Sequence, residues 1–255
     1  MFHLDTREIV PRLQAIESLA VIPRVASTNL VGRRIVTECI ENELSLPQAM
    51  IIAGEQFAGR GRNDRRWSSP AGKGIYATTL LTRSAHELPL VPLAMANIVA
   101  SYLRETFAID ARIKWPNDIL AGGKKIAGIL IEARLQDNRA YLLIGTGINV
   151  EPVDDDARPN AAAISEVSAR FTGIDSATLA FVEHVDARLA RPLVHDEVLG
   201  EWRSLAVHQP GDRIQCVLAD RTVNGTWAGI DEQGRALLDS GGGRVTVSAG
   251  DLILA

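Results

Sequence analysis

Four arginines, Arg60, Arg62, Arg65 and Arg66, fall between Gly54 and Trp67, together with three glycines and one tryptophan. A guanidinium is a planar fork that donates paired hydrogen bonds to a carboxylate or a phosphate. Gly59 and Gly61 carry no Cβ, so the backbone beside Arg60 and Arg62 can turn sharply and approach a ligand closely. Such a loop suits an anionic small molecule, although a solvated basic surface loop has the same composition. Two phosphate-binding patterns are excluded. Asp64 stands where the last glycine of G-x-G-x-x-G belongs, and Gly74 follows Lys73 where a P-loop needs Ser or Thr.

Three other stretches have matching chemistry. Lys114-Trp115-Pro116-Asn117-Asp118 lies at a strand end, and Lys125-Ile126-Ala127-Gly128-Ile129-Leu130-Ile131-Glu132 follows across a Gly122-Gly123 turn. A lysine at the mouth of an apolar strand pair can neutralise a developing anionic oxygen in a low-dielectric site. It can equally be a gatekeeper at a strand edge, and Asn117 and Asp118 can form no more than a local turn. Gly128, like Gly145 and Gly147 in Gly145-Thr146-Gly147-Ile148-Asn149, leaves room for a ligand against its strand. Ser27-Thr28-Asn29 precedes an amphipathic stretch. These residues either cap that helix or turn hydroxyl and amide groups into a pocket.

The elements that would position these groups follow from periodicity. Residues 5–20 have a helical spacing of Ile9, Val10, Leu13, Ile16 and Leu19, weakened by Pro11. Residues 21–26 read as a strand, an edge one because of Pro23. Helices are expected over 29–43, 89–107 and 175–206, the last capped by Ser176. Strands are expected over 49–53, 74–81, 111–115, 119–121, 125–134 and 139–149. This is an α+β domain on a mixed β-sheet. After a boundary near residue 207, short β-rich runs over 214–218, 222–230, 236–238 and 245–247 alternate with turns and predict a small β-barrel or sandwich. The expected domains are therefore 1–206 and 207–255.

The chain has 255 residues, 46% apolar and 23% charged, with a net charge of −4, which argues against a general nucleic-acid binder. No stretch predicts a membrane span or a signal peptide. Cys39 and Cys216 are far apart and read as buried thiols of a cytoplasmic protein. Asp154-Asp155-Asp156 reads as a solvated loop, and no metal site is expected.

Taken in order, Ser27-Thr28-Asn29, Gln56, the Gly-Arg-Gly-Arg loop with its Trp, Lys-Trp-Pro-Asn-Asp, Lys-Ile-Ala-Gly-Ile-Leu-Ile-Glu and Gly-Ile-Asn resemble the biotin–protein ligases. The resemblance covers residues 20 to 150, and the terminal β module looks like that family's small SH3-like C-terminal domain. It implies that biotin and ATP, with Mg²⁺ as the ATP counter-ion, give biotinyl-5′-AMP, from which biotin passes to a lysine of a biotin carboxyl carrier protein. It implies a biotin site of Ser27, Thr28, Asn29, Gln56, Arg60, Gly61, Arg62, Lys125 and Gly128. The ATP site would comprise Arg62, Trp67, Lys114, Asn117, Asp118 and Asn149, with Lys125, Arg60 and Arg62 catalytic. Asp64 departs from the family pattern, which usually has Gly there, and puts the loop's kinetics in doubt.

The stretch before the first core strand is too short for the winged helix-turn-helix of bifunctional members, so no operator binding is expected. Family members occur as monomers and as homodimers, commonly paired by sheet edges. The alternatives are a lipoate or octanoate–protein ligase, which shares the fold, and a non-catalytic biotin-binding module.

Overall fold

The computed structural model describes residues 5–153, 160–218 and 220–254; Asp154-Asp155-Asp156 and the side chain of Asp64 lie outside what is described. The elements in order are α1 (Thr6–Ile9), β1 (Ser18–Ile22), α2 (Thr28–Glu41), β2 (Ala49–Ala53), β3 (Gly74–Ser84), α3 (Val91–Phe107), β4 (Ala111–Lys114), β5 (Asp118–Ala121), β6 (Lys124–Gln136) and β7 (Arg139–Asn149). Helices α4 (Ile164–Val167), α5 (Ile174–Leu189) and α6 (His195–Leu205) follow, then strands β8 (Arg213–Val217), β9 (Thr222–Ile230), β10 (Ala236–Ser240), β11 (Gly243–Val247) and β12 (Asp251–Leu254). The first seven strands form one sheet in the order β1-β2-β3-β7-β6-β5-β4, and the last five form a second in the order β11-β10-β9-β8-β12. Strand β1 runs parallel to β2, and the other neighbours are antiparallel. This is the expected α+β architecture.

The large sheet is covered on both faces at its centre, which is why β2 is apolar at every position. Met50 and Ile52 join the main core under α3, α5 and α6, whereas Ala49 and Ile51 pack with Val36 of α2, Leu80 and Leu143. Gly122 and Gly123, with φ of 55° and 80°, make the β5–β6 turn, a left-handed pair that a two-residue hairpin favours.

Four expectations are corrected. Residues 5–20 are not one helix: α1 ends at Ile9, a 3₁₀ turn holds Val10–Arg12, and Ser18 opens β1. Pro11 removes a helical donor. The backbone N–H groups of Gln14, Ala15 and Ile16 then donate to the buried carboxylate of Asp186, at 2.8, 2.8 and 2.7 Å. The first strand is Ser18–Ile22 rather than 21–26, although it is an edge strand as Pro23 implied. Residues 175–206 form two helices, because Pro192 falls between them, and Ser176 lies within α5, whose cap is Gly173. The terminal sheet has a fifth strand, β12, paired with β8. Four residues at the chain end were too few for alternation to reveal it.

The two sheets meet around Trp115, whose Nε1 donates to the Gly234 carbonyl at 3.0 Å. The connecting segment runs beside β4, with the Val207 N–H donating to the Ile113 carbonyl at 2.9 Å. Next along it, His208 is 2% exposed, and its ring centroid lies 4.9 Å from that of Trp227. Burial, and then the charge of Lys114, push its pKa down to about 4, with Asp212 opposing.

The unfolded chain therefore binds a proton between the free-histidine value and pH 4 that the folded chain refuses. Stability is fully present above pH 6.5 and falls on acidification toward pH 4, by roughly 3 kcal/mol from this residue. Urea unfolding across that range should show this slope, and His208→Asn should remove it. An equal slope in both proteins would refute the assignment.

Candidate active site

Strand register decides where the pocket lies. Directly opposed residues share a face, so Tyr76, Gly147 and Gly128 form one row and Thr78, Gly145 and Leu130 the next, both on the α2 side of the sheet. Glycine in these rows leaves the sheet hollow, and a cavity of about 510 Å³ opens there. The Trp67 ring lies over the hollow: a Cβ on Gly147 would come within 2.4 Å of it, and one on Gly128 within 3.0 Å. A Cβ on Gly145 would come within 2.5 Å of Asn29 Oδ1.

Lys125 reaches the same hollow through an irregularity. Three residues apart on a regular strand, Lys125 and Gly128 would face opposite ways. The β5–β6 register shifts between Ile119 and Leu120, pairing Asp118 with Gly128 but Leu120 with Lys125. This bulge restores both residues to one face. Lys125 Nζ then lies 2.6 Å from Asp118 Oδ1 and 5.3 Å from the Trp67 ring centroid.

The start of α2 supplies the uncharged end of the cavity. Ser27 is the N-cap residue, but its side chain makes no capping bond. Ser27, Thr28 and Asn29 are all buried and line the cavity. Gln56 Oε1 accepts from the Thr28 N–H at 2.8 Å, and its Nε2 donates to Ser69 Oγ at 3.0 Å.

The arginine loop forms the opposite wall. It is a narrow hairpin closed by Trp67 N–H to Gly59 O at 3.0 Å and Gly61 N–H to Arg65 O at 2.7 Å. Arg62 Nη1 donates to Asn117 Oδ1 at 3.0 Å and to the Gly250 carbonyl at 3.2 Å. Asp251 pairs with Arg65 and lies 3.7 Å from Arg62. The terminal sheet therefore contributes directly to this wall. Asn117 is fixed in turn, its Nδ2 donating to the Ile129 carbonyl at 2.7 Å.

The structure gathers Ser27, Thr28, Asn29, Gln56, Arg60, Gly61, Arg62, Trp67, Asn117, Asp118, Lys125 and Gly128 around one cavity. It leaves Lys114 and Asn149 outside the lining. Lys114 acts electrostatically on His208 instead. Asn149 is buried, and its Nδ2 donates to the carbonyls of Lys125 and Ala162 at 3.2 and 3.1 Å, so it braces the strand that carries Lys125. Sequence reasoning missed Thr78, Ser69 and Asp251. A threonine within the apolar run 74–81 was a usable signal for Thr78; Asp251 offered none.

The chain is similar to known proteins. The family described as Biotin/lipoate A/B protein ligase matches residues 21–149, and the Biotin protein ligase C terminal domain matches residues 211–254. The chain is 31% identical to the Bifunctional ligase/repressor BirA of Bacillus subtilis, over 80% of this chain and 66% of that protein. It thus spans about two thirds of that relative's length. It is 31% identical to the Biotin--[acetyl-CoA-carboxylase] ligase of Paracoccus denitrificans, over 80% of this chain and 89% of that one. A biotin protein ligase from Aquifex aeolicus, solved in complex with biotin and ATP, superposes with a TM-score of 0.75 at 25% identity, covering 94% of this chain and 99% of that one. The chain belongs to the biotin/lipoate A/B protein ligase family, and within it to the biotin protein ligases.

Proposed function

We propose that the chain joins biotin to a lysine of a biotin carboxyl carrier protein, at the expense of ATP and by way of biotinyl-5′-AMP. One observation carries this reading: a single cavity is lined both by the uncharged hydrogen-bonding groups at the start of α2 and by Lys125, Arg60 and Arg62. Biotin has that polarity, with a ureido head and a carboxylate tail. Ser27, Thr28, Asn29 and Gln56 bind the head over the hollow at Gly128. Arg60, Gly61 and Arg62 meet the carboxylate and the phosphates, and Trp67 packs beside the nucleotide.

In the first step a biotin carboxylate oxygen attacks the α-phosphorus of ATP, and pyrophosphate leaves. Two anions must approach, so Lys125 and the arginines neutralise the charge that builds between them. In the second step the carrier lysine attacks the acyl carbon and AMP leaves. Both nucleophiles come from substrates. The loop shields the mixed anhydride from water meanwhile.

Asn117 and Asp118 stand beside the arginine wall, where one carboxylate and one amide suit Mg²⁺ held mainly by ATP phosphates. Among the described residues no cluster of three or more His, Cys, Asp or Glu could hold a metal alone. We assign Lys114 and Asn149 supporting rather than ligand-binding roles.

We place the reaction in the cytoplasm, where thiols such as the free, buried Cys39 and Cys216 stay reduced. No helix among the described residues is long and apolar enough to cross a membrane. Edge pairing in a homodimer would use β1, since Ala206 bridges to Ile113 of the other edge strand.

Biotin-dependent pyrophosphate exchange tests the reading, with lipoate and octanoate beside biotin. Exchange with biotin alone supports it, and exchange only with lipoate or octanoate overturns it. Lys125→Ala should lower the exchange kcat about 100-fold or more while the protein stays folded. Asp251→Ala should raise the KM for ATP about fivefold and leave that for biotin unchanged, because Arg62 keeps Asn117 and the Gly250 carbonyl. Limited proteolysis within residues 60–66 should quicken in the same variant. An unchanged ATP KM with unchanged proteolysis would show that Asp251 does not hold the loop.

A further inference from the structure

We infer that Glu132, which does not line the cavity, is a positioning residue that sets the direction of a hydrogen-bond chain and makes the cavity's uncharged end demand an N–H donor. The inference rests on the assignment of that end to the biotin head and deepens it.

The chain starts at Glu132 on β6. Its Oε2 accepts from Arg33, and its Oε1 accepts from Asn29 Nδ2 at 2.9 Å. A carboxylate has no hydrogen to give, so the Asn29 amide must turn its Nδ2 toward Glu132 and its Oδ1 toward Thr78. Thr78 is fully buried, and its hydroxyl donates to Asn29 Oδ1 at 2.6 Å. A hydroxyl has one hydrogen. The Thr78 and Thr28 oxygens are 2.7 Å apart and need a hydrogen between them, so that hydrogen is Thr28's.

The consequence falls on the cavity. With its hydrogen directed at Thr78, Thr28 Oγ1 presents lone pairs alone. Gln56 Oε1 is the Thr28 hydroxyl's other acceptor, at 3.2 Å against 2.7 Å to Thr78, so the single hydrogen goes to the shorter contact; Gln56 Oε1 already accepts the Thr28 backbone N–H at 2.8 Å. Gln56 cannot turn its amide without losing that bond and the one from its Nε2 to Ser69. Two acceptor oxygens therefore stand side by side on the cavity wall. A ligand N–H fits between them, as a ureido ring supplies. Lipoate and octanoate have no N–H and would leave both acceptors without a hydrogen. Glu132 thus contributes to the choice of biotin without touching it.

Glu132→Gln reverses the chain at nearly constant shape. Arg33 only donates and takes the glutamine oxygen, leaving the glutamine N–H₂ to face Asn29. The Asn29 amide then turns over, Thr78 donates to Thr28, and Thr28's hydrogen is freed toward Gln56 Oε1 at the cavity wall. A donor stands where an acceptor stood.

The test is steady-state pyrophosphate exchange by wild type, Glu132→Gln and Glu132→Ala, with biotin and with a biotin analogue methylated on its ureido nitrogens. Glu132→Gln should raise the KM for biotin about tenfold, with kcat and the KM for ATP within about twofold of wild type. Methylation should cost the wild type more than it costs Glu132→Gln, and Glu132→Ala should fall between them. A folded Glu132→Gln protein with wild-type biotin KM overturns the inference. So does an equal rise in both KM values, or an equal methylation penalty in both proteins, since a merely structural role predicts those. Failure of the wild type to exchange with biotin is a separate result, and would remove the functional reading beneath the inference.

Discussion

Like charges must be held together here, and the rest of the site follows from that. Arg60, Arg62, Arg65, Arg66 and Lys125 all border one cavity of a chain that is mildly acidic overall. Unopposed, these groups would repel one another and splay the loop. Each wall supplies its own counter-charge: Asp118 for Lys125, and Asp251 with the Gly250 carbonyl for Arg62 and Arg65. The constraint reaches across the molecule, because Asp251 opens the last strand of the terminal sheet. Docking of that sheet through Trp115 and Gly234 is therefore also a condition of the loop's geometry.

The second constraint is space. A flat ligand can lie against a β-sheet only where side chains are missing, and the register aligns Gly128 with Gly147, and Gly145 between Thr78 and Leu130. Removing side chains weakens a strand. The loss is tolerable in β6 and β7 because both are long and paired on each side, with Ile144 and Ile148 buried in the core on the opposite face. The hollow thus sits in the middle of the sheet rather than at an edge, and the residues around it are correspondingly fixed.

Much of this was legible from residue types. The apolar runs predicted most strands of the large sheet, and Gly122-Gly123 its tightest hairpin. Twelve residues singled out for their chemistry line one cavity. What stayed hidden was whatever depends on distant partners or on parity. Asp186 holds the N–H groups of residues 14–16 from about 170 residues away, so an apparent helix is cut short. The bulge that turns Lys125 toward Gly128 leaves no mark in composition. Lys114 and Asn149 belong to the same motifs as the lining residues, yet the charge of one lowers the pKa of His208 and the other braces the strand of Lys125. A motif specifies which residues travel together. Lys114 opposes Asp118, and Asn149 lies two residues beyond Gly147, so both share the lining face and position along the strand decides which residues border the cavity.

The two ends of the cavity differ in rigidity, and the difference suits a two-step acyl transfer. At the uncharged end, Thr28, Asn29 and Thr78 are buried on a helix start and a central strand, bonded to one another within 2.6–2.9 Å through the chain that ends at Glu132. Breaking one such bond strands a buried polar group, which costs about 1–3 kcal/mol. At the charged end, Arg65 is 66% exposed and its partner Asp251 is 31% exposed. An ion pair in that setting is worth about 1 kcal/mol or less. The contacts that hold the loop are therefore weak enough to be exchanged for phosphate oxygens, which accept charge-assisted bonds at least as well. Under the proposed function, a firm cradle for the head would keep the acyl group in register through both steps. A loosely latched cationic loop can grip the nucleotide, cover the anhydride and then release AMP.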